Sequence, residues 1–145
     1  MAKRILVLGA SGLIGSFVSV DLERRAHQVI PVARRFTAAQ REHFGTTLRE
    51  MPVASLDVEA LTGLLRESAP DIVVNCIGLL QSRPDEEIKD VHDVFVAKLI
   101  AALQALGRPV LLVHVSIPGE QGDDRTEFST SKRQAERQIV ASELH

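Results

Sequence analysis

The chain has 145 residues, 45% of them hydrophobic and 25% charged, with a formal net charge of −2. That length suits one domain with a real core, and the charge excludes a strong general pull toward nucleic acid or anionic membrane. Five Phe with no Trp or Tyr also exclude an aromatic stacking platform for single strands.

Apolar runs alternate with amphipathic stretches along the whole chain. Residues 4–8 read as a strand ending at Gly9. Residues 13–27 read as a helix with Leu13, Phe17, Val20 and Leu22 at helical spacing. A strand at 28–33, a polar helix at 37–49 and a short strand at 51–56 follow. Next come a helix at 58–67 with Leu61, Leu64 and Leu65 inward, and a β-branched strand at 71–77. Residues 84–106 read as a long helix stopped by Gly107 and Pro109, with Ile88, Val91, Phe95, Leu99 and Leu103 on one face. A strand at 110–116, a polar loop at 118–125 and a last helix at 127–144 complete the chain.

Strands apolar on both faces and separated by helices predict an α/β fold. We expect a Rossmann-type doubly wound parallel sheet of five strands, order 3-2-1-4-5, with helices on both faces. The fifth strand is too apolar for an open edge. Later strands beyond residue 145, or a second copy or other contact, are therefore expected to cover it. Residues 1–145 are then one dinucleotide-binding domain at the front of a longer protein. Cys76 is the lone cysteine, so no intrachain disulfide forms, which fits a reducing compartment. No run reaches the ~18–20 apolar residues of a membrane span. A strand beginning so near Met1 leaves no room for a leader, and the expected location is the cytoplasm.

Gly9-Ala10-Ser11-Gly12-Leu13-Ile14-Gly15 stands between the first strand and the first helix. Gly9 permits the tight turn, Gly12 admits a pyrophosphate to the backbone, and Gly15 lets helix and strand pack closely. The helix N-terminus offers N–H groups to the phosphates. A P-loop is excluded, because no Lys precedes Ser16. An NAD site places an acid about 20 residues on. Here Arg34 and Arg35 stand in that region, able to fork onto a 2′-phosphate. The expected cofactor is NADP(H), with NAD(H) the disfavoured alternative.

With these residues the chain resembles the short-chain dehydrogenase/reductase superfamily. It is similar to the atypical NAD(P)H-binding members: NmrA-like proteins, the NAD(P)-binding accessory subunit of respiratory complex I, and DoxX-associated reductase-like proteins. The resemblance implies that Asp57 meets the adenine amine with Val58 beside the ring. It implies that Asn75-Cys76-Ile77-Gly78 lines the cofactor ribose. Ser116 falls where the family has its catalytic Ser or Thr, and Lys132 falls on the Lys of Tyr-x-x-x-Lys. The family's tyrosine is replaced by Phe128, which carries no proton. Two functions stay open: an NADPH-dependent oxidoreductase or epimerase-like enzyme using another proton donor on an unidentified small molecule, and a non-catalytic NADP(H)-binding structural or sensor module.

The five histidines show no metal-ligand spacing with one another or with Cys76, so no metal site is expected. His114 reads as a satisfied core or cleft histidine. Arg133, Glu136 and Arg137 read as a solvated helix face.

Overall fold

A computed structural model describes residues 1–78, 90–117, 126–142 and 144. The expected loop at 118–125 and helix positions 84–89 lie outside them. Five strands form one parallel sheet: β1 (Arg4–Leu8), β2 (Gln28–Ala33), β3 (Arg49–Glu50), β4 (Ile72–Asn75) and β5 (Leu111–His114), ordered β3-β2-β1-β4-β5. Strand β1 lies at the centre, with Ile5 paired to Val29 on one side and to Ile72 on the other. The chain thus winds outward in both directions from β1, and the expected doubly wound order is the observed one.

Alternation along β1 sends successive side chains to opposite faces. Leu6 and Leu8 pack toward Leu61, Leu64 and Leu65 of α3 (Val58–Ser68) and toward Phe95, Leu99 and Leu103 of α4 (Phe95–Ala105). Ile5 and Val7 pack on the other face with Val18, Val20 and Leu22 of α1 (Leu13–Arg24) and Phe44 of α2 (Ala38–Phe44). Helix α5 (Glu127–Ala141) joins the first face, where Ala135 and Ile139 meet Val96 and Ile100 of α4.

Local chemistry sets the helix ends. Thr37 and Gln40 form a capping box at α2: the Gln40 N–H donates to Thr37 Oγ1 at 3.1 Å, and the Thr37 N–H donates to Gln40 Oε1 at 3.0 Å. Asp57 Oδ1 accepts from the Ala60 N–H at 2.8 Å and caps α3. Gly107, at φ +68°, ends α4 in the left-handed region.

Four expectations need correction. The third strand is the polar pair Arg49–Glu50, not 51–56, where Val53–Ser55 forms a 3-10 turn. Parallel pairing to Val32 and Ala33 decides its place, and such an edge pair carries no apolar run. Helix α2 ends at Phe44, because Gly45 leaves the helix at φ +59°. The described part of the long helix opens as a π turn, Asp90–Val94, before α4. In α1 Val20 and Leu22 pack inward as partly buried residues, but the fully buried positions are Gly15 and Ser19, whereas Leu13 and Phe17 are 77% and 71% exposed. Close packing on the sheet selects small side chains at the helix's nearest approach and leaves Leu13 and Phe17 outside.

Strand β5 is the last of the sheet among the described residues. Leu111 and Val113 stand 45% and 42% exposed on the face shared with α1. No helix of the described chain is long and apolar enough to cross a membrane.

Phe95 is among the largest fully buried side chains, at 0% exposure between sheet and helices. Phe95→Ala is expected to cost about 3–5 kcal/mol. Urea denaturation reads this as a lower midpoint with an unchanged slope.

Candidate functional site

The turn after β1 is built so that side chains do not fit. Gly9 sits at φ +79°, and a Cβ there would lie 2.9 Å from Cys76 C and Ile77 N. A Cβ on Gly15 would lie 2.1 Å from Gly9 O. The N–H groups of Gly9 and Ala10 both donate to Val32 O, and the Cys76 N–H donates to Leu8 O. The turn is thereby clamped between the C-terminal ends of β2 and β4. This is the point where the winding reverses, the crevice in which open α/β sheets bind ligands.

Gly12 differs from its two companions. A Cβ there meets nothing closer than Gly9 O at 3.6 Å, so packing does not demand a glycine. Gly12 is the N-cap of α1 and brings no side-chain cap; the first turn holds no acid. Gly12, Leu13 and Ile14 are exposed. The helix therefore opens onto solvent with its first-turn N–H groups uncovered by side chains, an arrangement suited to phosphate. Gln40 Nε2 donates to Ser11 O at 3.1 Å and ties α2 to the turn. That contact, across 29 positions, was not legible in the sequence.

Arg34 and Arg35 follow β2 directly and are both exposed. An acid absent from the sequence near them arrives from β3. Glu50 pairs with Ala33 in the sheet, and its carboxylate accepts from Arg41 Nε and Nη2 at 2.7 and 2.9 Å. Arg41 holds the Glu50 carboxyl below its usual range, with Arg35 adding to the effect. Asp57 and Val58 start α3 and are exposed, Asp57 already serving as its cap.

Lys132 is 5% exposed and spans the ends of two strands. Its Nζ donates to Ile77 O after β4 at 3.1 Å and to Val115 O after β5 at 3.2 Å. A Cβ on Gly78 would stand 3.7 Å from the same Nζ. Thus Cys76, Ile77, Gly78, Lys132 and the Ser116 segment come together at the ends of β4 and β5. Burial lowers the proton affinity of the Lys132 ammonium, opposed by Cys76 and Glu136. Burial also raises the Cys76 thiol, so it is protonated at neutral pH.

Phe128 packs its ring edge-on to His92, centroids 5.2 Å apart. His92 is 1% exposed, and its Nδ1 lies 2.7 Å from Ser131 Oγ. The Ser131 hydroxyl donates to Phe128 O at 3.1 Å within α5, and its contact with His92 ties α5 to the π turn. Gln138 Nε2 adds a bond to Asp93 Oδ1. The sequence showed His92 as an isolated residue; its place beside Phe128 depends on how two distant helices pack.

Two other readings change. His114 is only half satisfied: Nδ1 lies 3.2 Å from Asn75 Nδ2, while Nε2 is buried with no hydrogen-bond partner among the described residues. Arg133 is not a solvated residue. Its side chain is 11% exposed, and it pairs with Glu136 at 3.1 Å and donates to Ile117 O at 3.4 Å. The Ser116 hydroxyl lies close enough to Glu136 to lower its carboxyl, yet Ser116 Oγ makes no regular hydrogen bond. Among the described residues no group of three or more His, Cys, Asp or Glu could hold a metal ion.

Two outcomes follow from this geometry. Gly15→Ala should lose about 1–3 kcal/mol through overpacking, while Gly12→Ala should stay within ~0.5 kcal/mol of the parent, compared by thermal unfolding. Burial also pushes His92 and His114 down to about 4 from 6.5. The unfolded imidazoles then take up protons that the folded ones refuse. Stability should be full above pH ~6.5 and fall toward pH 4, by up to about 1.4 kcal/mol per pH unit for each histidine. Denaturation at stepped pH should show a shallower fall for His92→Gln or His114→Gln.

Comparison with known proteins agrees with this architecture. The family model described as the NAD dependent epimerase/dehydratase family matches residues 5–143. A dTDP-6-deoxy-L-talose 4-dehydrogenase (NAD(P)(+)) of Kitasatospora kifunensis is 29% identical over 133 residues, covering 92% of this chain and 40% of the relative. A UDP-glucose-4-epimerase from Stenotrophomonas maltophila, solved with NAD and formylated UDP-arabinopyranose, superposes at TM-score 0.76 with 22% identity. That match covers 96% of this chain and 48% of the epimerase. The L-threonine 3-dehydrogenase of Trypanosoma brucei superposes at 0.77 with 18% identity, covering 95% of this chain and 48% of its own. The chain thus spans half or less of the length of these relatives. With a glycine turn and sheet order of this kind, and a family match along nearly its whole length, the chain belongs to the NAD dependent epimerase/dehydratase family.

Proposed function

We propose that this chain binds a nicotinamide dinucleotide and forms the cofactor half of an oxidoreductase or epimerase acting on a carbonyl or secondary-alcohol substrate. The observation that carries the reading is the glycine turn with its uncapped α1 terminus, set at the reversal point of the sheet. The residues fit the group. Gly9 and Gly15 close the turn, Gly12 leaves the approach to the backbone open, and Leu13 and Ile14 offer the first helical N–H groups. Lys132, Cys76, Ile77 and Gly78 would border the nicotinamide end, and Asp57 and Val58 the adenine end. When bound, the nicotinamide supplies or accepts hydride.

The chain's own part in the reaction is to hold, orient and exclude water. Lys132 presents a cation beside Gly78, and Ser116 presents a hydroxyl at the end of β5. Similarity to a nucleotide-sugar 4-dehydrogenase and a threonine dehydrogenase favours a small polyfunctional alcohol or ketone. Residues outside this chain would supply most of the substrate pocket.

We further propose that the site prefers NADP(H), through Arg34 and Arg35. Each charge-assisted hydrogen bond to a 2′-phosphate contributes about 1.5–3 kcal/mol, enough for tenfold discrimination. Glu50 beside Ala33 favours the other choice, as do neighbours solved with NAD; the Arg41 pairing already engages that carboxylate. A second reading, a non-catalytic binding module, is favoured by Phe128, since losing a positioned acid/base costs roughly 10²–10⁴ in rate.

Nicotinamide fluorescence separates these readings. NADPH should bind at micromolar level and NADH about tenfold more weakly, and Arg34→Ala should erase the difference. Equal affinities in the parent would refute the NADP(H) preference. Slow NADPH oxidation with a panel of ketones supports the enzyme; tight binding without turnover supports the module.

A further inference from the structure

Gln40 has no part in the reading above, yet it touches the turn that would hold the phosphates. Its side chain stands in the first turn of α2 and bridges two backbones. Oε1 accepts from the Thr37 N–H at 3.0 Å, and Nε2 donates to Ser11 O at 3.1 Å. A backbone N–H only donates and a carbonyl only accepts, so the two partners fix the amide in one orientation.

Ser11 O shares a planar peptide with the Gly12 N–H. That N–H donates to Gly9 O at 3.3 Å. The peptide is thus held at one edge by the turn itself and at the other by α2. Gly12 needs such holding. It is the exposed N-cap of α1, at φ −73° and ψ 173°, and has neither a Cβ nor a side-chain cap to restrain it. The N–H groups of Leu13 and Ile14 take their direction from this peptide. We propose that Gln40 is a positioning residue: it sets the Ser11–Gly12 peptide before a dinucleotide arrives, so that binding does not have to order it. The pyrophosphate is common to NADH and NADPH, so the contribution is the same for both.

This rests on the cofactor reading above, and the test separates the two. Three variants of the full chain are compared by nicotinamide fluorescence with NADPH and NADH, by thermal unfolding and by amide spectra. Gln40→Glu keeps the acceptor for Thr37 and loses the donor for Ser11. It should unfold near the parent temperature and bind both cofactors roughly tenfold more weakly. Gln40→Met, neutral and of similar length, should show the same loss without a new charge near the phosphates. Thr37→Val removes the Oγ1 acceptor of the cap and keeps the Thr37 N–H. It should lower the unfolding temperature and leave both affinities unchanged. The Gly12 amide resonance of the free protein should move in both Gln40 variants and stay in place in Thr37→Val. Parent-like affinities in Gln40→Met, a loss confined to NADPH, or an equal loss in Thr37→Val overturns the proposal alone. Binding of neither cofactor by the parent overturns the cofactor reading, and the Gly12 resonance then still decides whether Gln40 holds the turn.

Discussion

The site depends on one close approach. The turn at Gly9 passes so near the Cys76–Ile77 peptide that no Cβ fits between them, and Gly15 presses α1 onto the same turn. Three segments from distant parts of the chain meet there at backbone distance. Hydrogen bonds from Gly9, Ala10 and Cys76 to the neighbouring strands hold the arrangement. Because of it, α1 points its N-terminus over the end of the sheet. A longer side chain at either glycine would push the helix away and break the alignment of its N–H groups with the crevice.

The second half of the site hangs on Lys132. A buried ammonium needs strong acceptors, and the carbonyls of Ile77 and Val115 supply them from the ends of β4 and β5. The lysine therefore has a structural task beside any contact with a cofactor. It fixes α5 against the sheet and brings Phe128, Ser131 and Glu136 to the strand ends. The His92–Ser131 bond and the packing of His92 on Phe128 close the same junction from the side of the π turn. The Phe128 ring is thereby held at the strand ends by a buried imidazole.

Much of this was legible in the sequence because it is local. The β-branched and aliphatic runs of β1, β2 and β4 sit in the sheet centre and are apolar on both faces. The glycine spacing reports the turn between β1 and α1, where Gly15 meets Gly9, although the contact that demands Gly9 itself comes from Cys76 and Ile77. Strand β3 was misplaced because a two-residue polar edge leaves no pattern, and its partners Val32 and Ala33 are remote in sequence. The first turns of α1 were misjudged, at Leu13 and Phe17 though not at Val20 and Leu22, because close packing selects Gly15 and Ser19, which hydrophobicity does not flag. The polar partners were invisible for a related reason. His92 meets Ser131 across 39 positions, as Asn75 meets His114, and Glu50 reaches the end of β2 only through sheet pairing.

The central claim is that the glycine turn at the reversal point of the sheet binds a dinucleotide. Amide chemical-shift mapping of the full chain during titration with NADPH and NADH tests it directly. The account predicts the largest shifts at Gly9 and at Ser11 through Gly15, with smaller ones at Ile77 and Gly78 and little change at Leu111. No shift at the turn at millimolar cofactor, or shifts confined to another surface, would contradict it.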